Sequence, residues 1–311
     1  MATSNQLFYG KQTLALLLEL ILFVFILILS LTGYFMFLYP LILDADLLHG
    51  NAQTMLQENP IESLLISYIP ITLITLLTMW GVHVMLFKRS ESLLGFNKKG
   101  ALYEFGYGWI LGAILILAGF LILVALDQID VVGTHVNWVL IGGFFLMFLI
   151  QSFGEEIIFR SYLIPTIENR LGTWAALILS SLGFMALHLG NNGISFIGCL
   201  DLTIGGFLMG LLFVKFRNVW APTGLHVSWN YIQSTILGFE VSGVKTYSWL
   251  SLNEKGSDLL TGGEFGYEGS IFSVIFLILC VLFLFIKYPE MLSQFSIPQN
   301  NKTDEDKYNN F

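Results

Sequence analysis

Apolar residues along this chain gather into long runs separated by short polar stretches. A bilayer core of roughly 30 Å takes about 20 mostly apolar helical residues to cross. The runs at 14–38, 61–87, 107–126, 137–159, 174–189, 196–216, 219–237 and 271–286 each predict such a helix. The first follows Lys11, is too long for the apolar region of a signal peptide, and has no small-residue cleavage site after it, so a retained helix is expected. The connection 90–105 is basic and of mixed polarity, and predicts either an amphipathic helix along the membrane interface or a solvated loop. Residues 238–270 form a longer loop with Trp249 and several glycines, and from 293 the chain turns polar, which predicts a disordered tail. The expected fold class is therefore all-α. It is a polytopic bundle of about eight transmembrane helices, one domain over 1–290 with a polar tail at 291–311.

Composition agrees with the pattern. Hydrophobic residues are 55% of the 311, charged residues only 12%, and mean hydropathy is +0.74. A water-soluble domain would lack the polar residues to cover its surface. The formal net charge is −8, but the placement of the 14 basic residues says more. With the N-terminus inside, the cytoplasmic side holds all of them except Lys245 and Lys255, which predicts both termini in the cytoplasm and an even number of spans. The two cysteines, Cys199 and Cys280, sit in apolar runs and offer neither a disulfide framework nor a CxxC zinc site. An integral, multi-pass protein is expected, with the plasma membrane of a bacterium as its location, lipid around it and no nucleic-acid partner.

Ionisable groups are costly in a membrane, so those within helices are the first functional candidates. The fourth run ends in Glu155, Glu156 and, four residues on, Arg160. Neighbours on a helix differ by about 100° while residues four apart share a face. Glu156 can therefore pair with Arg160, leaving Glu155 as the reactive carboxylate; three interfacial charges at a helix end is the plainer reading. The fifth run carries Phe184 and His188 on one face, so the ring can fix the imidazole and exclude water; a hydrogen-bonded core histidine is the alternative. The seventh carries His226 and Asn230, also four apart, either as two donors to one oxygen or as an interhelical polar clamp. Unpaired polar groups on three apolar helices are hard to keep without mutual partners. His49, His83 and His135 fall at or beyond helix ends and look incidental, and Asp201 has no assigned role. One difficulty stands out. Glu155 and His226 are expected within a turn or two of the cytoplasmic ends of their helices, whereas His188, counted from Trp174 at about 1.5 Å per residue, is roughly 21 Å deep. Either the fifth helix begins outside the bilayer, or the cavity is deep and the fourth helix is irregular near Pro165.

At this point the residues resemble a known family. Glu155-Glu156 to Arg160 fits EExxxR, Phe184 to His188 fits FxxxH and His226 to Asn230 fits HxxxN, in the order found in the CAAX-protease and bacteriocin-processing family of intramembrane endopeptidases, which includes the type II CAAX prenyl endopeptidases. The stretches 206–210 and 215–226 are similar to that family's approach to its last motif, and the resemblance covers about 90–237. It implies peptide-bond hydrolysis in or at the edge of the bilayer. Glu155 with His188 would activate a water, and His226 with Asn230 would stabilise the oxyanion, with Glu156, Arg160 and Phe184 in support. No cofactor is expected on this route. The alternative is a zinc site on Glu155, His188 and His226 with an open position. The eukaryotic branch cleaves prenylated C-terminal CAAX peptides, while bacterial members are linked to bacteriocin maturation and self-protection, and both substrate classes stay open.

Other intramembrane protease chemistries lack their motifs here: there is no HExxH, GxGD or GxSG. Ser228, between His226 and Asn230, points to a different face. The competing readings are a non-enzymatic scaffold or immunity protein of the same fold, and a proton-coupled transporter, against which the lack of an internal repeat counts. Gly206 and Gly210 form a GxxxG pattern, read as internal packing ahead of dimerisation.

Overall fold

The computed structural model describes residues 2–39 and 60–289. The expected tail at 291–311 and His49 lie outside the described residues. Helix α1 runs Ala2–Gly33 and continues through a wider π-type turn, Tyr34–Leu38. Helix α2 spans Pro60–Leu86, α3 Ala101–Ala125 and α4 Trp138–Leu171. Then come α5 Thr173–Leu187, α6 Phe196–Phe216, α7 Trp220–Tyr231 with a π-type extension Ile232–Ile236, and α8 Ile271–Lys287. Five of these, α1 to α4 and α6, are long and apolar enough to cross a membrane, and α5 and α8 are shorter apolar helices. The protein is a helical integral membrane protein.

The all-α expectation needs one correction. Strand β1, Ile129–Thr134, pairs antiparallel with β2, Leu250–Glu254. The ladder has five partner pairs, from Ile129 with Glu254 to Thr134 with Leu250, and slips between Val131 and Gly133. Five or six residues on either side of glycines and polar positions are too few for a clear alternation in the sequence. In the connection 90–105 a single 3₁₀ turn, Glu91–Leu94, capped by the Ser90 hydroxyl, and a short loop at 95–100 lead into the start of α3, and no separate amphipathic helix forms.

The larger correction concerns α4, expected to end near residue 159. It carries on to Leu171 by opening into a π-type segment, Ile157–Leu163, just ahead of Pro165. In a regular α-helix the proline ring would collide with the carbonyl four residues back, and the wider turn removes that collision. Glu155 therefore lies 16 residues from this helix end, about 24 Å. His188 lies 15 residues past Thr173, the start of α5, about 22 Å. The irregular α4 removes the mismatch between Glu155 and His188, while His226 lies only six residues past Trp220, the start of α7.

Close helix packing fixes the rest. Helix α3 lies against α7 along Gly108 and Gly112 on one side and Gly224 on the other. A Cβ on Gly224 would overlap the Phe105 carbonyl oxygen, which as backbone cannot swing aside. Gly224→Ala is expected to force the helices apart and cost about 1–3 kcal/mol, seen as a lowered unfolding temperature in detergent. Gly206 and Gly210 pack on α5, a Cβ there falling 3.2 Å from Ser181 Cα and 2.8 Å from Leu177 Cδ2, so this GxxxG pattern serves internal packing. At the bundle end where α4 stops, Glu19 of α1 is buried and holds Arg89 at 2.6 Å and Arg170 at 2.5 Å. Glu168 holds Arg217 at 2.6 Å and accepts from the Thr173 hydroxyl at 2.6 Å.

Candidate active site

The polar residues of α4 occupy two faces. Glu156 points into the bundle, where one oxygen accepts from Arg160 Nη1 at 3.0 Å and from His226 Nδ1 at 2.8 Å. Arg160 is fully buried, donates its other amino group to the Gly206 carbonyl at 3.2 Å, and lies 4.7 Å over the Phe184 ring. This pair thus reaches α6 and α7 as well as its own helix. Because a carboxylate can only accept, Nδ1 of His226 carries a proton and Nε2 is left to face the cavity.

Glu155, about 100° round the helix, faces a cavity of about 330 Å³. One of its oxygens accepts from the Gln151 amide, one turn earlier. The other, Oε2, is buried, has no hydrogen-bond partner among the described residues and stands 3.8 Å from His226 Nε2. His188 sits just past the last turn of α5, where regular helix gives way to a Gly-Asn turn. Its Nδ1 is 2.9 Å from the Phe184 carbonyl, which only accepts, so Nδ1 donates there and Nε2 is the nitrogen left for the cavity. The Phe184 ring is 4.9 Å from the His188 ring and 5.6 Å from that of His226, an apolar divider between the two. Asn230 also lines the cavity, but its amide turns to α4, with the Gln151 amide oxygen at 3.3 Å and the Ser152 hydroxyl at 3.4 Å. These long contacts leave the amide easily redirected.

Glu155, Phe184, His188, His226 and Asn230 therefore line one cavity, and Glu156 and Arg160 lie behind its wall. Ser228 is turned away and bonds the Leu225 carbonyl. His83 is buried against the Ser90 carbonyl and His135 is exposed. As the side chains stand, no three His, Cys, Asp or Glu groups among the described residues converge closely enough to hold a metal ion, so Glu155, His188 and His226 do not form a ready zinc site.

Several wall residues escaped the sequence reading. Gln151 is one turn before Glu155, a spacing that could have exposed it. Tyr68 comes from α2. Asp201, noted without a role, is buried in the wall and accepts from Ser273. The loop 238–270 is no detached appendage. Val241 packs on Phe144, Met147 and Phe148 of α4, and Ser242 and Thr246 face the cavity. Ser242 holds a left-handed backbone, φ 48°, because its neighbours pin it. Its N–H and hydroxyl both donate to Glu268 at 2.7 Å, and its carbonyl accepts from Asn191 at 3.0 Å. Glu268 also accepts from Trp229 Nε1 at 3.2 Å, which ties the loop to the helix of His226 and Asn230. Burial pushes the Glu268 carboxyl above the ordinary carboxylate range, and the Ser242 hydroxyl opposes the shift.

No curated protein matches the chain. Residues 137–232 match the family model described as Type II CAAX prenyl endopeptidase Rce1-like. That segment holds all three motifs, and the match supports the resemblance to the CAAX-protease family that they carry.

Proposed function

We propose that this protein is an intramembrane endopeptidase that hydrolyses a peptide bond of a membrane-associated peptide or protein. The observation that carries the reading is the buried Oε2 of Glu155, without a hydrogen-bond partner among the described residues, set in a cavity with His226 Nε2 at 3.8 Å and with His188. A water placed there has an acceptor on Glu155 and a second on His188. It can lose its proton to the carboxylate as it attacks the carbonyl, and the same carboxyl then returns the proton to the leaving amine. His226 donates from Nε2 when its ring holds both protons, and Asn230 donates once its amide leaves Gln151; together they offset the charge on the tetrahedral oxygen. Glu156 accepts from Nδ1 of this ring and so holds Nε2 toward the cavity.

The metal-free route is favoured by the donor set, because the three candidate zinc ligands do not converge. We further place eight spans in the bilayer with both termini cytoplasmic, in keeping with the distribution of the basic residues. The test uses purified protein in detergent with a library of membrane-anchored peptides. Wild type is expected to cleave, His188→Ala to lose about 10²–10⁴-fold in rate, and a zinc chelator to change neither. Loss of wild-type activity on chelation would move the chemistry to a metal, and absence of cleavage by wild type would favour the scaffold reading.

A further inference from the structure

Gln151 precedes Glu155 by one turn in the regular part of α4, before the π-type segment opens at Ile157, so the two side chains share a face. The Gln151 amide touches both halves of the site. Its amino group donates to Glu155 Oε1, and its carbonyl oxygen accepts from the Asn230 amino group at 3.3 Å and from the Ser152 hydroxyl at 3.3 Å.

The direction of this line is set from its Glu155 end. An ionised carboxylate only accepts, so the amino group of Gln151 must face Glu155. The carbonyl of Gln151 is thereby turned to α7 and calls for a donor, so Asn230 presents its amino group there, not its oxygen. That is the end an oxyanion donor needs. At the other terminus Glu155 Oε1 is tied to Gln151, and Oε2 is the oxygen left for water. An amide suits this place because it donates at one end and accepts at the other, carries no charge, and does not compete with Glu155 for the proton. When Asn230 swings to a substrate oxygen, the Gln151 carbonyl keeps the hydroxyl of the fully buried Ser152 as its donor. The hold on Glu155 therefore outlasts the move of Asn230.

We infer that Gln151 is a positioning residue of this site: its amide joins Glu155 to Asn230, keeps one carboxylate oxygen free for the attacking water, and holds the Asn230 amide with its amino group forward until a substrate oxygen takes it. This rests on the peptidase reading. Gln151 acts through its two neighbours and carries out no proton transfer itself.

The test measures kcat and KM separately for Gln151→Met and Gln151→Glu in detergent, on a membrane-anchored peptide that wild type cleaves, together with the unfolding temperature of each preparation. Methionine is of similar size and removes both hydrogen-bonding ends, whereas glutamate keeps the shape of glutamine and removes the donor to Glu155. Each variant is expected to lower kcat about 10–100-fold, as small misplacements of a reacting group do, with KM within about threefold of wild type and the unfolding temperature little changed. In Gln151→Glu two carboxylates meet that cannot both ionise, which adds to the loss. A packing role would spare this variant, so full kcat in Gln151→Glu would overturn the inference. So would a raised KM at unchanged kcat, which would make Gln151 a substrate contact, or a fall in kcat matched by an equal loss of folded protein. Each of these results leaves the peptidase reading standing, because wild type still cleaves. No cleavage of any peptide by wild type would sink that reading, and this inference with it.

Discussion

Glu155→Gln is expected to lower kcat/KM by about 10²–10⁴-fold, the usual share of a positioned general base, with the unfolding temperature essentially unchanged. The two effects separate because the two Glu155 oxygens do different things. One accepts from Gln151, and the glutamine carbonyl can keep that contact. The other has no hydrogen-bond partner among the described residues, so an amide there breaks no hydrogen bond with them but can no longer accept a proton from water. The side chain is only 17% exposed, so bulk water is a poor substitute for the lost base. Kinetics on a cleaved peptide, set beside thermal unfolding of the same preparations, check both parts.

Arg160→Ala is expected to act in the opposite sense, through the fold. Arg160 and Glu156 are both fully buried, and the truncation leaves the Glu156 charge with only His226 at hand. Removing one partner of a buried ion pair costs about 3–5 kcal/mol, to which the lost contacts with the Phe184 ring and the Gly206 carbonyl add. The variant should unfold at a markedly lower temperature in detergent. Replacing both partners, as Glu156→Gln with Arg160→Met, should restore much of the loss, because no uncompensated charge is left inside. The double variant should still be slow, since His226 has lost the carboxylate that accepts from its Nδ1 and holds the ring in place.

The long apolar helices were legible because lipid demands sustained hydrophobicity, and the run at 196–216 coincides with α6. The end of α4 was not, because residues 160–171 are polar enough to look like a connection, while in the structure their charges are matched by Glu19 and Arg217 from distant helices. Glu19 itself was visible as a lone acid in the first apolar run, yet nothing nearby in sequence announced Arg89 and Arg170 as its partners. In and behind the cavity wall, spacing revealed what one helix can reveal: the pairs 156 with 160, 184 with 188 and 226 with 230. Glu268 gave no local signal. Its meaning comes from Ser242 and Trp229, brought to it by the loop's path across the bundle. The strands stayed hidden for a similar reason, since their pairing joins residues more than a hundred positions apart.

Cleavage by protein reconstituted in liposomes together with membrane-anchored peptides, with new peptide termini identified by mass spectrometry, tests the role of Glu155 most directly when wild type and Glu155→Gln are compared side by side. Defined new termini with wild type, and almost none with the variant at equal folded amount, is the expected result. Equal cleavage by the two proteins would contradict it and remove Glu155 from the chemistry.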